Sequence, residues 1–175
     1  HKAGPPAAGE PAARGGEKDL STLFEALKAA PSAEAAKPVE EAILRLWLRS
    51  GSDTADLLMA WAVEAMAEKN TDLALRYLDT VVVLRPDYAE GWNKRATIHF
   101  QKRDYARSLS DIQRVLALEP RHYGALSGLG MILQDIGDQK RALEAFRKAL
   151  AVHPHLEGAR KAEKALTLDV EGRDL

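Results

Sequence analysis

The 175-residue chain contains no cysteine. That excludes disulfides, cysteine-ligated zinc and thiol nucleophiles, and it leaves the redox compartment open. Aromatic residues are scarce at 6%, while alanine and leucine are abundant, a balance that favours helix over sheet. No apolar run is long enough to span a bilayer; the best stretch, residues 80–84, is far too short. An excess of either charge is missing as well. The 25 Lys and Arg against 26 Asp and Glu leave a formal net charge of −1, so the global balance points neither to nucleic acid nor to an anionic membrane. What is present, 46% hydrophobic and 29% charged residues, suits one globular or solenoid unit with a continuous core. The first residue is His1 rather than methionine, a start that removal of a signal peptide or of a tag would leave.

Residues 1–19 are rich in Gly, Pro and Ala and show no apolar period, so they are expected to form a flexible tail. Regular structure is expected from Leu20, where Leu20, Leu23, Phe24 and Leu27 share one helical face. Pro38 is placed in the first turn of a second helix carrying Ile43, Leu44 and Trp47 to a stop at Ser50-Gly51. The decisive pattern lies downstream. Pro86, Pro120 and Pro154 are evenly spaced (120 − 86 = 34 and 154 − 120 = 34), and the segments VVVLRPDYAEGW, VLALEPRHYGAL and ALAVHPHLEGAR align without gaps. The apolar slots recur in phase: Leu58, Trp61, Ala62 and Ala65, then Trp92, Arg95, Ala96 and His99, then Leu126, Leu129, Gly130 and Leu133. A second set follows in Ala74, Leu78 and Val81, then Ser108, Ile112 and Val115, then Ala142, Phe146 and Ala149.

A 34-residue period with helix–turn–helix character resembles the tetratricopeptide repeat. The resemblance implies an all-α fold, a right-handed superhelical solenoid of helix hairpins. Three repeats are expected at about 54–87, 88–121 and 122–155. A degenerate hairpin at 20–53 precedes them, and a capping helix and tail at 156–175 follow, where Arg160, Lys161, Glu163 and Lys164 form the solvated face. Arg95 and Ser108 depart from the apolar and small residues usual in the family, which marks the middle repeat as imperfect. The stretches KDLSTLFEALKAA, PDYAEGWNKRATIHF and ALEPRHYGALSGLGMIL also resemble a group of small exported bacterial proteins of the cell envelope, which implies a periplasmic location; a cytoplasmic one is the alternative.

Candidate chemistry is thin. Gly124, Gly128 and Gly130 have the spacing G-x-x-x-G-x-G with no preceding strand, and are read as helix packing rather than a phosphate loop. His153 and His155 could offer two imidazoles to a metal, but the repeat pattern supplies no third ligand. His99 is read as a packed core histidine, and Glu40, Glu41, Asp87 and Glu90 as solvated helix-end charges. No nucleophile, base and orienting group come together, so no enzyme activity, cofactor or metal is expected; a small hydrolase or metal protein is the least favoured reading.

The resemblance places peptide binding on the first helix of each hairpin. The residues pointing away from the packing slots there are Met59, Val63 and Met66, then Asn93, Lys94, Thr97, Phe100 and Gln101, then Ser127, Met131 and Gln134. The carboxylate clamp of the chaperone-binding subclass would fall on Met59, Val63, Lys94, Gly124 and Gly128, of which only Lys94 has the right charge. An apolar or amphipathic segment of a partner protein therefore fits better than an acidic tail. For Met66 and Phe100, packing against the next hairpin is an equal reading. The expected function is a non-catalytic protein-binding scaffold. The alternative is a homo-oligomer assembled through a terminal repeat, for instance the Phe24/Trp47 surface.

Overall fold

The computed structural model describes residues 10–172, with side chains from Gly16 onward. Among the described residues there are nine helices and no strand: α1 (Glu10–Ala29), α2 (Ala33–Trp47), α3 (Asp53–Ala67), α4 (Thr71–Leu84), α5 (Ala89–Gln101), α6 (Tyr105–Leu118), α7 (Tyr123–Asp135), α8 (Gln139–Val152) and α9 (Glu157–Val170). None is long and apolar enough to cross a membrane. The pairs α3/α4, α5/α6 and α7/α8 are antiparallel hairpins stacked in order, and α9 closes against α8. The fold is an all-α superhelix of the tetratricopeptide type.

One turn serves all three hairpins. Lys69, Arg103 and Gly137, each 34 residues apart, take a left-handed backbone with φ of 60°, 59° and 89°. The next residue in each case, Asn70, Asp104 or Asp138, bonds its amide to the carbonyl five residues earlier, at 2.9, 2.8 and 2.9 Å. This Schellman closure satisfies the last carbonyls of the first helix. The same Asn or Asp side chain then accepts from the amide of Leu73, Arg107 or Arg141 and caps the second helix. Between repeats the chain turns over Pro86, Pro120 and Pro154, held by amide bonds from Tyr88 to Arg85, His122 to Glu119 and Leu156 to His153.

Inside the hairpins, small residues face large ones. Ala62 shares a buried cluster with Leu78, and Ala96 with Ile112; Gly130 lies directly under the Phe146 ring. The two polar departures of the middle repeat are both satisfied. Ser108 donates its hydroxyl to the Ala96 carbonyl at 2.8 Å, and Arg95 grips Asp111 with two bonds of 2.9 Å while reaching Asp79 of the preceding helix at 3.1 Å. The Arg95 guanidinium also lies over the Trp92 ring.

The N-terminal hairpin departs from expectation. Helix α1 begins at Glu10, ten residues before the expected Leu20, and α2 begins at Ala33 behind the Ser32 cap, so Pro38 is interior. Of the expected tail, residues 1–9 lie outside the described residues. Neither helix packs along α3 as a preceding repeat would. Instead the hairpin lies across the inter-repeat turns. The Leu48 carbonyl accepts from Tyr88 Oη at 2.8 Å, Trp47 stacks on His122 with centroids 4.2 Å apart, Glu40 binds His153, and Ala30 accepts from His155 Nε2 at 2.6 Å. Arg121 sits 4.5 Å from the Phe24 ring centre, and Phe24, Leu27, Ala36 and Ile43 form a core with Tyr123 and Val152.

Sequence explains why. Lys28 stands one period before Ala62, Ala96 and Gly130, and Glu40 one period before Ala74, Ser108 and Ala142. A repeat-type crossing would force both long charged side chains into its tightest point, where the later repeats place small residues, and would strip them of water there. The receiving surface objects as well: Glu64 occupies the slot that Ile98 and Ile132 fill, fully buried, in the later repeats.

Candidate functional site

A hollow lies between the first helices of the second and third hairpins, and its shape is set by what stands at equivalent slots. Asp56, Glu90 and Gly124 form one such series; Ala60, Lys94 and Gly128 another; Met59, Asn93 and Ser127 a third. In α7 all three slots are small. A hollow of about 280 Å³ therefore opens between α5 and α7 and the start of α9. Asn93, Thr97 and Phe100 line it from α5, Tyr123, Gly124, Ser127, Gly128 and Met131 from α7, and Leu156 from the turn before α9, over a floor that includes Ala96, Ile112 and Ile132.

Five of the expected groove residues thus meet at one place: Asn93, Thr97, Phe100, Ser127 and Met131. Phe100 has both roles, since it lines the hollow and also packs on the cluster that includes Ala125 and Ile132 of the next hairpin. Others stand elsewhere. Met59 is buried in the core between α3 and α4, with Leu78 and Ile98, because the unbranched side chain fills the space that the later repeats leave open. Met66 packs on the same cluster. Val63, Gln101 and Gln134 are exposed and do not line the hollow, and Lys94 lies 3.9 Å from Glu90. Tyr123 and Leu156 were not expected as lining residues, and Gly124 and Gly128 entered only as clamp slots without the right charge; the signal for the glycines was that they stand one period after Glu90 and Lys94.

The charges near the hollow are already engaged. Glu90 is not a solvated helix-end charge but is buried, bonded to His122 Nε2 at 2.5 Å. Burial alone would raise its carboxyl pKa; the hydrogen bond to His122, joined by Lys94 and Asn93, outweighs it and holds the group below the usual carboxylate range. His122 Nδ1 in turn accepts from the Ala125 amide and caps α7. Tyr123 is pushed up to about 12, chiefly by burial, with Glu40 and Glu90 adding to it, so its phenol stays neutral. His99 is half-buried, 3.7 Å from Asp111, and burial pushes its pKa down. His153 and His155 bind the N-terminal hairpin rather than converging on a common point, and no three His, Cys, Asp or Glu side chains group as metal ligands among the described residues. Gly130 does serve packing as expected, whereas Gly124 and Gly128 open the hollow. The Phe24/Trp47 surface is covered from within the molecule. What remains is an apolar recess with neutral hydrogen-bonding groups at its edge.

Comparison with known proteins agrees with this architecture. Two tetratricopeptide-repeat family models match, over residues 97–167 and 59–112, and together span 59–167. The chain belongs to the tetratricopeptide-repeat family. A TPR repeat-containing protein of Rhizobium etli is similar, with 44% identity over 135 residues that make up 77% of this chain and 66% of that protein. This chain thus spans just under two thirds of that relative. Among solved structures, the Sgt2 TPR domain from Aspergillus fumigatus superposes with a TM-score of 0.65 at 19% identity, covering 70% of this chain and 83% of that one. The first TPR of Spaghetti (RPAP3), bound to the HSP90 peptide SRMEEVD, gives 0.65 at 18% identity over 69% and 95% of the two chains. At that identity the structures speak to fold. Repeats of this family generally mediate protein–protein interaction and are generally non-catalytic.

Proposed function

We propose that this protein is a scaffold that holds a partner protein by inserting an apolar side chain of the partner into the hollow between α5 and α7. The observation that carries the reading is the glycine pair at 124 and 128, which opens an apolar recess where the preceding repeat places Glu90 and Lys94. Acidic tails are a poor fit: Lys94 is the sole cation at the slots used by the family's carboxylate clamp, and Glu90 beside it offsets the charge. Asn93 and Ser127 at the rim offer bonds to a partner backbone. A recess of this size supports about micromolar affinity unless the partner contacts more of the array. The resemblance to small exported envelope proteins favours a periplasmic setting for the same role, which fractionation of cells expressing the native gene tests.

The critical variant is Gly128→Leu. A Cβ there meets nothing closer than Ile112 Cδ1 at 3.7 Å, so a leucine enters the hollow without disturbing the backbone. Replacing a helix-interior glycine also raises helix stability by about 1 kcal/mol. Peptides selected from a random display library on the wild type should carry a large apolar anchor and lose at least tenfold in affinity for Gly128→Leu. Equal binding by both proteins would place the site elsewhere.

A further inference from the structure

Among the described residues, the N-terminal hairpin leaves one end of the array open. On α5 the face toward the preceding hairpin is closed by α4: Ile98 is buried there, and Arg95 and Lys102 reach across to Asp79 and Asp72 at 3.1 and 2.8 Å. The equivalent positions on α3 are Glu64, Trp61 and Glu68, and no described helix packs over them. Trp61 is 43% exposed and leans on Tyr77 with centroids 5.7 Å apart, and Leu57 beside it is 49% exposed. Trp61, Tyr77, Glu64 and Glu68 line one open recess with no cation among its walls. An apolar and acidic surface of this kind is unusual for a bare solenoid end, where a purely polar cap is the norm.

The opposite end has the complementary character. Helix α9 packs on α8 as the first helix of a further repeat, and no second helix follows it among the described residues. Arg160 and Lys164 stand at the slots that face the second helix in the full repeats, those of Leu126 and Gly130, and both are exposed. Leu168, one turn further, is 71% exposed. The acidic pair on α3 and the basic pair on α9 have the same i, i+4 spacing. With the two helices antiparallel, Glu68 meets Arg160, Glu64 meets Lys164, and Trp61 reaches the Thr167–Leu168 turn.

We infer that the open α3 face receives α9 of a second copy, so that the array associates head to tail. A contact between two different surfaces of one molecule does not close as a two-fold dimer, so it adds copies into rings or open chains as concentration rises. It is independent of the hollow between α5 and α7. Its ionic component weakens with salt, because the pairs lie at a surface where 0.5 M salt shortens the screening length below about 5 Å.

Sedimentation velocity of the full chain from about 10 µM to 1 mM tests this, with circular dichroism confirming unchanged helicity. The wild type should show a rising weight-average mass that falls back in 0.5 M NaCl. Glu64→Lys with Glu68→Lys, or Arg160→Glu with Lys164→Glu, should each weaken association at least tenfold, and the chain carrying all four changes should recover it. A wild type that stays monomeric at 1 mM would overturn the inference and leave the face to a different protein. Association untouched by either charge reversal, or not recovered by the combination, would overturn it too.

Discussion

Gly130→Ala together with Phe146→Leu tests how the hairpins are packed. A Cβ on Gly130 would lie 2.8 Å from three atoms of the Phe146 ring, whereas ordinary contact begins near 3.4 Å. The ring would have to move by roughly 0.6 Å, yet Phe146 is buried and held in the cluster of Leu126, Leu143, Ala149 and Leu166. Overpacking of a tight core costs about 1–3 kcal/mol, and the gain from replacing a helical glycine returns about 1 kcal/mol, so the single change should destabilise by about 1 kcal/mol. Phe146→Leu alone removes part of a buried ring and should cost about 2 kcal/mol. The double variant recreates the Ala62/Leu78 pairing of the first repeat, where alanine and leucine are both fully buried. It should therefore be more stable than the sum of the two singles by at least about 1 kcal/mol, a coupling expected only for residues in contact. Urea unfolding followed at 222 nm gives the four values. Additive effects, or a Gly130→Ala protein more stable than wild type, would mean that the glycine is not there to admit the ring.

The same logic shows what could be read from the chain before its structure. The 34-residue spacing of the prolines and the phase of Ala62, Ala96 and Gly130 were sufficient for the hairpins, because those slots are local and repeat. Placement of the first hairpin was harder. Phe24, Leu27, Leu44 and Trp47 fit repeat slots, but Lys28 and Glu40 do not, and two long charged side chains forced into the tightest crossing outweigh four apolar matches. Where such a hairpin goes instead depends on partners far along the chain: His122, Tyr123, His153 and His155. No local period encodes a pairing across 113 residues such as that of Glu40 with His153. The early start of α1 was hidden for a related reason, since Gly15 and Gly16 are poor helix formers and the helix runs through them regardless. On the concave face, the assumption that every outward slot is free failed at Met59, whose flexible side chain turns into the core. The hollow itself was legible only by comparing slots between repeats, where absence of a side chain in α7 matters more than any residue present.

Two further expectations concern turns and protons. Arg103 holds a left-handed backbone (φ 59°) at the position where the third repeat uses Gly137. Arg103→Gly should therefore stabilise by up to about 1 kcal/mol, strain relieved less the added freedom of the unfolded chain, as a higher urea midpoint; a lower midpoint would contradict the reading of the turn. The pH dependence of stability should carry two steps. His99 has its pKa lowered by burial, which outweighs the attraction of Asp111 and Asp104; Arg95 and Arg107 lower it further. Below about 6.5, the ordinary histidine value, the unfolded chain takes up a proton that the folded site resists, so stability declines until the folded group also protonates. Glu90 works in the next window. Its folded pKa lies below the usual value, so the stability it contributes is fully present above about 4.3 and is lost as pH falls through the folded pKa. Urea midpoints taken between pH 8 and pH 3 should fall in both ranges. Glu90→Gln keeps a hydrogen-bonding side chain beside His122 but removes the carboxylate, so it should lower stability at pH 7 and flatten the loss below about 4.3, leaving the step below about 6.5 in place. If the variant kept the full loss below about 4.3, the buried Glu90–His122 pair would not be what the fold loses in that window.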